Sequence, residues 1–182
     1  YISVTGVQTC ALPISGVRAV RELIAQTRDG FASVTRVYRD ENMGLARSVI
    51  AGVSQALERN ERVIVLEDDL VLSPHFLRYM NDALNCYAAD EEVASIHGYC
   101  YPVAKVLPET FFLRGADCWG WATWRRAWKT FDPNGQKLLM ELQQKKLVEA
   151  FDLDGAYSFS RIDRKSTRLN SSHTDISRMP SS

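Results

Sequence analysis

The stretch Arg62–Leu72, with the sequence RVIVLEDDLVL, constrains the fold of this chain more than any other. Its apolar, β-favouring run Val63–Leu66 predicts a strand that is buried on both faces. Three carboxylates, Glu67, Asp68 and Asp69, follow this strand directly. In an open α/β sheet, the carboxyl ends of the parallel strands border the crevice that binds ligands. The stretch therefore predicts a central, buried strand whose acidic end opens into a cleft.

The acidic triplet Glu67–Asp69 predicts a metal site. Adjacent carboxylates repel one another unless a cation or hydrogen-bond donors offset their charge. Hard divalent cations such as Mg²⁺ and Mn²⁺ prefer carboxylate oxygen as a ligand. The triplet is therefore interpreted as a metal site that holds a phosphorylated ligand. The alternative is an acidic turn with solvated side chains, against which the apolar runs on both sides argue.

Helical and β-strand patterns alternate around this strand, as is typical of an α/β fold with a mostly parallel sheet. Apolar residues at helical spacing predict helices over 16–28, 45–59, 73–87 and 136–151. Runs of β-favouring residues predict further strands over 32–38, 93–98 and 110–113. The predicted order places helices on both sides of the strand that ends in the acidic triplet.

The two ends of the chain are related to each other through their possible codons. Each residue of Tyr1–Ile14 can be encoded by the reverse complement of a codon for the matching residue of Asp163–Ile176. Both peptides resemble translated sequencing-adapter sequence, so we expect residues 1–14 and 163–182 to be artefactual tails. The natural segment is then Ser15–Ile162, which we expect to be cut at both ends.

The composition excludes several classes of protein. The chain has 22 Lys and Arg against 22 Asp and Glu, so its formal net charge is zero and nothing predicts binding to nucleic acid. Outside the expected tails, the cysteines are the widely spaced Cys86, Cys100 and Cys118. This number and spacing favour reduced thiols in a cytosolic setting over disulfides or a zinc site. No apolar run approaches the roughly 20 residues that cross a bilayer.

Three motifs together resemble a known family. Residues 42–47 read NMGLAR, residues 63–80 read VIVLEDDLVLSPHFLRYM, and the tryptophan block, residues 119–128, reads WGWATWRRAW. The first, followed by a helix, an apolar strand and the acidic triplet, resembles the donor half of family 2-like glycosyltransferases. The second resembles the acidic motif region of the N-acetylglucosaminyltransferase I type, and the third is similar to a segment of bacterial sugar transferases of this group. The resemblance implies an α/β fold of the GT-A (Rossmann-like) type, a three-layer structure with mostly parallel strands, incomplete at both ends.

The resemblance also implies a metal-dependent site for the donor. In such enzymes the acidic motif binds a divalent metal that bridges the diphosphate of a nucleotide sugar. Asp69 would be the direct ligand of Mn²⁺ or Mg²⁺, while Glu67 and Asp68 would contact ribose and sugar hydroxyls. Asn42 and Arg47 are further candidate donor contacts, because a guanidinium near a helix N-terminus suits a phosphate. For Arg47 the alternative is a solvated surface arginine.

The tryptophan block has two interpretations. Aromatic residues at helical spacing usually belong to the core, and Trp124 and Trp128, four residues apart, are assigned to it. Trp119 and Trp121 instead flank a glycine, where they can form a floor on which the acceptor's sugar rings stack. Asp117 would then hydrogen-bond acceptor hydroxyls. The block therefore supplies both core residues and candidate acceptor-binding residues.

The activity implied by the resemblance is the transfer of a sugar from a nucleotide-sugar donor to a glycan or glycolipid acceptor. Such reactions build bacterial cell-envelope polysaccharides, which implies a cytoplasmic protein with peripheral association at the inner face of the membrane. The catalytic general base is expected beyond Ile162, because in related enzymes it comes from a later segment. Asp117 is the weaker candidate for that role.

Other interpretations compete with this one. A signalling receiver domain also has an apolar strand that ends in acids, but there the strand opens the domain, whereas two predicted elements precede residues 63–66 here. A carboxylate- and metal-dependent nucleotidyl- or phosphoryl-transfer enzyme would use the same metal chemistry. Such enzymes usually add a Gly-rich phosphate loop or a second acidic motif, and the sequence has neither. The chain as it stands can also be an inactive fragment.

Overall fold

The computed structural model of the chain describes residues 14–26 and 30–161. The expected tails, 1–14 and 163–182, lie outside the described residues except for Ile14, at which the first helix begins. The chain divides after Phe131 into two compact units, and each is described by itself. Among the described residues, no helix is long and apolar enough to cross a membrane.

The first unit contains three strands and four helices in its described part. In chain order, these are α1 (Ile14–Gln26), α2 (Leu45–Arg59), β1 (Arg62–Val65), α3 (Phe76–Cys86), β2 (Ser95–His97), β3 (Trp121–Trp124) and α4 (Arg125–Trp128). The predicted helix over 45–59 is confirmed residue for residue, because its apolar stripe is continuous and Gly44 precedes it with a φ of 78° that a helix cannot continue. The predicted strand over 93–98 is confirmed in its central residues.

The sheet has the strand order β1–β3–β2, and β3 runs antiparallel to both neighbours. In its register, Arg62 lies opposite Trp124, and Val65 and His97 both lie opposite Trp121. Because β1 and β2 each oppose β3, their carboxyl ends lie at the same end of the sheet, beside the start of β3. The acidic triplet follows β1 at this end.

The predicted GT-A (Rossmann-like) three-layer fold with mostly parallel strands is wrong, since the described residues form only a small antiparallel sheet. The four-residue spacing of Trp124 and Trp128 suggests helical packing, but residues 121–124 form a strand that enters between β1 and β2. β1 consequently lies at an edge of the sheet rather than at its centre. The predicted strands over 32–38 and 110–113 are also wrong: the first has a single bridge at Val37, and the second is irregular.

The alternating side chains of the strands supply one core cluster on each face of the sheet. On one face, α3 packs its buried Phe76, Met80 and Leu84 against the strands, including Ala122 and Trp124 of β3. On the opposite face, the cluster holds residues of α2, β1 and α4 together with Trp121, namely Val49, Val53, Ala56, Leu57, Val63, Val65 and Trp128. Successive side chains of β3 point to opposite faces of the sheet, so the tryptophans of the block are divided between the two clusters.

Two adjacent arginines satisfy main-chain carbonyls at the Trp124 end of β3. Arg125 donates to the carbonyl oxygens of Leu57 at 2.6 Å and Asn60 at 3.0 Å, which are acceptors near the end of α2. Its guanidinium also forms an ion pair with Glu61 at 2.6 Å. These bonds tie the end of α2 to the start of α4.

Arg126 makes the corresponding contacts to the turn that follows α3. It donates to the carbonyl oxygens of Tyr87 at 2.9 Å, Ala88 at 3.1 Å and Val93 at 3.0 Å. Its guanidinium lies 4.5 Å from the centre of the Trp124 ring, close enough for a cation–π contact. Arg125 and Arg126 of the tryptophan block therefore stabilise the fold, and we assign neither of them to the candidate site.

The second unit contains two helices in its described part, α5 (Gly135–Gln144) and α6 (Val148–Phe151). The Asn134 side chain caps α5 by accepting the Lys137 backbone N–H at 3.0 Å. The helix predicted over 136–151 is broken in the middle, where Lys146 has a φ of 58°. The buried Asp152 carboxylate accepts the backbone N–H of Ser160 at 2.8 Å and its hydroxyl at 2.7 Å, which anchors the segment after α6.

Candidate active site

Three segments meet at one end of the sheet, which we call the acidic end. They are Glu67–Asp69 after β1, His97–Gly98 at the end of β2, and Asp117–Gly120 before β3. Glu67 and Asp117 are half-buried, while Asp68 and Asp69 are exposed. The antiparallel register places these segments together although about 50 residues separate the first from the last.

The segment Asp117–Gly120 is held in one conformation by short contacts. The Asp117 Oδ1 atom accepts the Trp119 backbone N–H at 2.8 Å, and the Gly98 N–H donates to the Gly120 carbonyl at 2.9 Å. Gly120 has a φ of 74°, and a Cβ there would lie 3.1 Å from the Phe76 ring. Only glycine combines this backbone angle with this close approach. The loop is therefore fixed against both β2 and α3.

His97 links the strand β2 to this loop in a defined protonation state. Its Nδ1 atom accepts the Asp117 backbone N–H at 3.2 Å, so the ring proton resides on Nε2, which donates to the Ser95 Oγ at 2.7 Å. Burial lowers the pKa of His97 below its usual 6.5, although the negative charge of Asp117 acts in the opposite direction and raises it. Because Ser95 accepts from the imidazole, its hydroxyl is not activated, and the pair is not a Ser–His nucleophile.

Burial and the carboxylates at the acidic end both raise the pKa of the Cys118 thiol. Burial raises the pKa of Cys118, and the negative charges of Glu67, Asp117 and Asp69 raise it further. Charges act on a thiol in this way only at short range, because solvent screens distant ones. Carboxylates from two separate segments therefore act on one thiol at the acidic end.

The carboxylates at this end were predicted to bind a metal ion. Within residues 14–26 and 30–161, no group of three or more His, Cys, Asp or Glu side chains is placed so that it could hold a metal ion. Mg²⁺, however, usually binds through one or two carboxylates together with waters and substrate phosphates. Asp69, exposed and close to Glu67 in the chain, fits a site that a bound diphosphate would complete.

Aromatic rings cover one side of the same loop. Tyr99, Tyr101 and Trp119 form a cluster, which we call the aromatic trio. The Trp119 ring centre lies 4.8 Å from that of Tyr99 and 5.9 Å from that of Tyr101. Trp121 instead packs against Trp128, with ring centres 6.1 Å apart, on the face covered by α2. The two tryptophans that the sequence groups as an acceptor floor thus lie in different clusters.

The predicted donor contacts Asn42 and Arg47 lie around the start of α2. The Asn42 Oδ1 atom accepts the Gly44 N–H at 2.9 Å and so shapes the turn, while Arg47 is exposed on the first helical turn. Because only Asn60 and Glu61 separate α2 from β1 and the two pack together, the helix runs back along the strand. The first turn of α2 therefore lies toward the acidic end, although no ion pair joins Arg47 to the triplet in the described part of the chain.

Sequence reasoning missed the site's two tyrosines, its thiol and its histidine link. Tyr99 and Tyr101 are two residues apart, which places both rings on one side of an extended segment, so this signal was present. The roles of Cys118 and His97 had no comparable signal, because they depend on contacts between distant segments. A depression of about 410 Å³ lies elsewhere, between β1 and α3, and includes none of these residues.

Comparison with known proteins adds no further support. No family model, no curated protein and no solved structure matches the chain. The resemblance to glycosyltransferases therefore depends on the three sequence motifs alone, and the function has to be argued from the acidic end.

Proposed function

We propose that the acidic end binds a nucleotide-sugar donor through Mn²⁺ or Mg²⁺ and that the protein transfers the sugar to a glycan or glycolipid acceptor. The observation that carries the proposal is the register of the sheet, which brings the segment Glu67–Asp69 after β1 and Asp117 before β3 to the same end of the sheet. Closely spaced carboxylates favour a bound cation that offsets their mutual repulsion. The aromatic trio on the same loop supplies a surface for a sugar ring.

Each acid of the triplet has a role in this proposal. Asp69 is assigned as the metal ligand, because it is exposed in the segment that follows β1 at the acidic end. A divalent ion bound there would neutralise the charge that develops on the departing diphosphate. Glu67 and Asp68 accept hydrogen bonds from ribose and sugar hydroxyls of the donor. Of these two acids, Glu67 is half-buried and Asp68 is exposed.

The start of α2 supports the diphosphate from a second side. Arg47 projects from the first turn, where the helix dipole and the unpaired backbone N–H groups also favour an anion. Asn42 contributes through the turn that its side chain closes onto Gly44. Together they place positive charge toward the acidic end, whose carboxylates alone would repel phosphate.

The acceptor side of the proposal rests on the loop before β3. One oxygen of the Asp117 carboxylate accepts the Trp119 N–H, and the other oxygen would accept a hydrogen bond from an acceptor hydroxyl. Stacking of the acceptor is assigned to Trp119 rather than Trp121, since the Trp121 ring packs against α2. The expected general base beyond Ile162 lies outside the described residues, so no base is assigned.

The location that we propose is the cytoplasm, at the inner face of the membrane. A glycolipid acceptor would have its sugar at that surface. Val71, two residues after Asp69, is fully exposed, and Leu72 is partly so. Apolar side chains in this position can contact lipid while the acidic end faces the acceptor headgroup.

The test is calorimetric titration of UDP-glucose and GDP-mannose, with and without Mn²⁺, on the chain and on Asp69→Asn. CMP-N-acetylneuraminate, which has one phosphate, serves as the ligand control. Asp82→Asn, a matched change at an exposed acid on α3, serves as the protein control. We expect Mn²⁺ to strengthen binding of a diphosphate sugar about tenfold or more in the chain and in Asp82→Asn. Asp69→Asn should lose this dependence, and turnover of an active parent should fall on the order of 10²-fold, about 3 kcal/mol.

The outcomes separate the alternatives. Equal donor affinity with and without Mn²⁺, or normal metal dependence in Asp69→Asn, would show that Glu67–Asp69 is an acidic turn with no metal role. Release of inorganic phosphate or pyrophosphate without sugar transfer would favour a phosphoryl- or nucleotidyl-transfer enzyme. Metal-dependent binding without turnover would identify an inactive fragment that retains its donor site.

A further inference from the structure

We propose that the free edge of β1 binds an extended peptide as an added strand, with an acidic side chain of the peptide on Arg62 and an apolar one over the depression beside α3. The depression contains none of the residues of the acidic end. The peptide site therefore goes beyond the proposed function and does not depend on it.

The main chain of β1 has hydrogen-bonding groups available at this edge. Arg62 lies opposite Trp124 in the register, and the Arg125 N–H donates to the Glu61 carbonyl at 2.8 Å. In an antiparallel pair, hydrogen-bonded residues alternate with residues whose main-chain groups point to the other side. The N–H and C=O groups of Arg62 and Ile64 therefore point away from β3. Among the described residues, no strand pairs with that side of β1.

These main-chain groups determine the chemistry of the partner. Two N–H groups and two C=O groups repeat over roughly 7 Å, the distance between alternate residues of a strand. An extended polypeptide presents acceptors and donors with the same repeat, which is how peptides add to an open sheet edge. A sugar or a nucleotide has no such repeat. The partner that fits this edge is therefore a main chain in the extended conformation.

The depression beside β1 determines which side chain of the peptide can point toward α3. It has a volume of about 410 Å³ and lies between Ile64 on the strand and Leu77, Asn81 and Leu84 on α3. Leu77 is 40% exposed, so apolar surface is accessible there. Ile64 packs with the cluster on the α3 face, and the residue opposite it on an added strand would lie on the same face. An apolar side chain at that position would cover the exposed part of Leu77.

Arg62 determines the charge of the partner. Side chains two residues apart lie on one face of a strand, so Arg62 shares the α3 face with Ile64. Arg62 is exposed, and its guanidinium donates to the Asn85 side chain. In the described part of the chain, no carboxylate forms an ion pair with Arg62. An acidic side chain two positions from the apolar one would lie opposite Arg62 and complement its charge.

The experiment measures peptide binding by fluorescence anisotropy. The probes are labelled seven-residue peptides of threonine and valine that contain leucine and glutamate two positions apart, in both orders, so that each strand direction is tested. One control peptide has N-methyl groups on these two residues and on the valine between them, which removes its main-chain donors. In two others, lysine replaces the glutamate or serine replaces the leucine.

The protein variant is Arg62→Glu. Its matched control is Arg78→Glu, a charge reversal at an exposed arginine of α3 that does not line the depression. Thermal unfolding checks that both variants are folded.

We expect one order of the glutamate peptide to bind and its N-methylated form not to bind. Lysine in place of glutamate should weaken binding about two- to fivefold, the contribution of an exposed ion pair. Serine in place of leucine should weaken it about tenfold, because an apolar contact is lost. Arg62→Glu should bind the lysine peptide more tightly than the glutamate peptide, whereas Arg78→Glu should keep the original preference.

Three outcomes would overturn the proposal: no binding by either order, equal binding by the N-methylated form, or an unchanged charge preference in Arg62→Glu. Sedimentation of the chain without peptide tests a second copy as the occupant, and we expect a monomer. A dimer that Arg62→Glu dissociates would assign the edge to a second copy and would also overturn the proposal. The donor titration uses neither this edge nor the depression, so its failure would leave the peptide site standing.

Discussion

The two ends of β3 differ in what their side chains contact. At the Trp124 end, apolar packing and the two arginines satisfy the main chain, and Trp124 itself is 4% exposed. At the Gly120 end, half-buried carboxylates, a histidine and accessible rings surround a loop that needs a glycine. Four residues thus separate a region that stabilises the fold from one in which carboxylates and accessible rings gather. Such a difference is expected where a site is built on a rigid element, because charge and exposure lower stability.

The largest expected effect compares tryptophans at the two ends. Trp124→Ala removes a buried side chain and the 3.1 Å hydrogen bond from its Nε1 to the Leu84 carbonyl, and should cost about 3–5 kcal/mol of unfolding free energy. Trp119→Ala should cost less than about 1 kcal/mol, because the trio lies at the surface. Urea denaturation measures both. Equal losses would mean that both ends serve the fold alike.

A smaller effect is expected from the arginine that closes the turn after α3. Arg126→Met removes the guanidinium donor from the carbonyls of Tyr87, Ala88 and Val93, of which Tyr87 keeps the Asp90 N–H, and removes the contact with Trp124. It should cost about 1–3 kcal/mol, since charged donors to the main chain are among the stronger hydrogen bonds. Lys129→Met, an exposed cation three residues later, is the control and should be near neutral.

If Arg126→Met leaves the unfolding midpoint unchanged, the arginine contacts are incidental and the Trp124 end depends on apolar packing alone. Arg126→Lys sharpens the result further. Lysine keeps the charge but cannot reach three carbonyls with one planar group, so it should recover only part of the loss.

The smallest expected effect is a pH dependence that arises at the acidic end. The folded-state pKa of His97 lies below its ordinary 6.5, so the unfolded chain takes up a proton first as the pH falls. The stability that neutral His97 contributes is complete above pH 6.5 and is lost as the pH falls through the lower, folded-state value. Protonation also removes the acceptor for the Asp117 N–H.

Thermal unfolding between pH 7.5 and 5 checks this prediction. The chain and His75→Gln, a change at an exposed histidine, should show the same loss of stability toward low pH. In His97→Gln this part of the pH dependence should be missing. An unchanged profile in His97→Gln would mean that His97 does not hold the loop.

The sequence predicted the local elements better than the contacts between them. The helix over 45–59 was predicted because its apolar pattern is long and regular. The strand predicted over 63–66 is observed over 62–65, one residue earlier, so that Leu66 lies after it. The sheet was not predicted, because the short strand 121–124 has two tryptophans at a spacing that also suits a helix. The pairing of a strand between two others depends on side chains from distant segments. The local spacing of apolar residues in the sequence does not determine that pairing.

The same limit applies to the candidate site. The acidic triplet could be located from its position after an apolar run, and Asp117 and Trp119 from their place in an unusual block. The separation of Trp119 from Trp121 follows from the two-residue alternation of β3, which requires the strand to be known first. The link from His97 to Asp117 crosses 20 residues and depends on the antiparallel register.

The Cys118 thiol gives the protein a chemical indicator of charge at its own site. Glu67 and Asp69 suppress its ionisation, so any cation that they capture, or any anion that displaces one, changes the fraction of reactive thiolate. Cys118 and Cys86 are both exposed, so the rate at which iodoacetamide labels Cys118, relative to Cys86, would follow site occupancy in the unmodified chain. Mg²⁺ is the suitable titrant, because it does not favour sulfur ligands. An otherwise unremarkable cysteine can thus report directly on the electrostatic state of its neighbours.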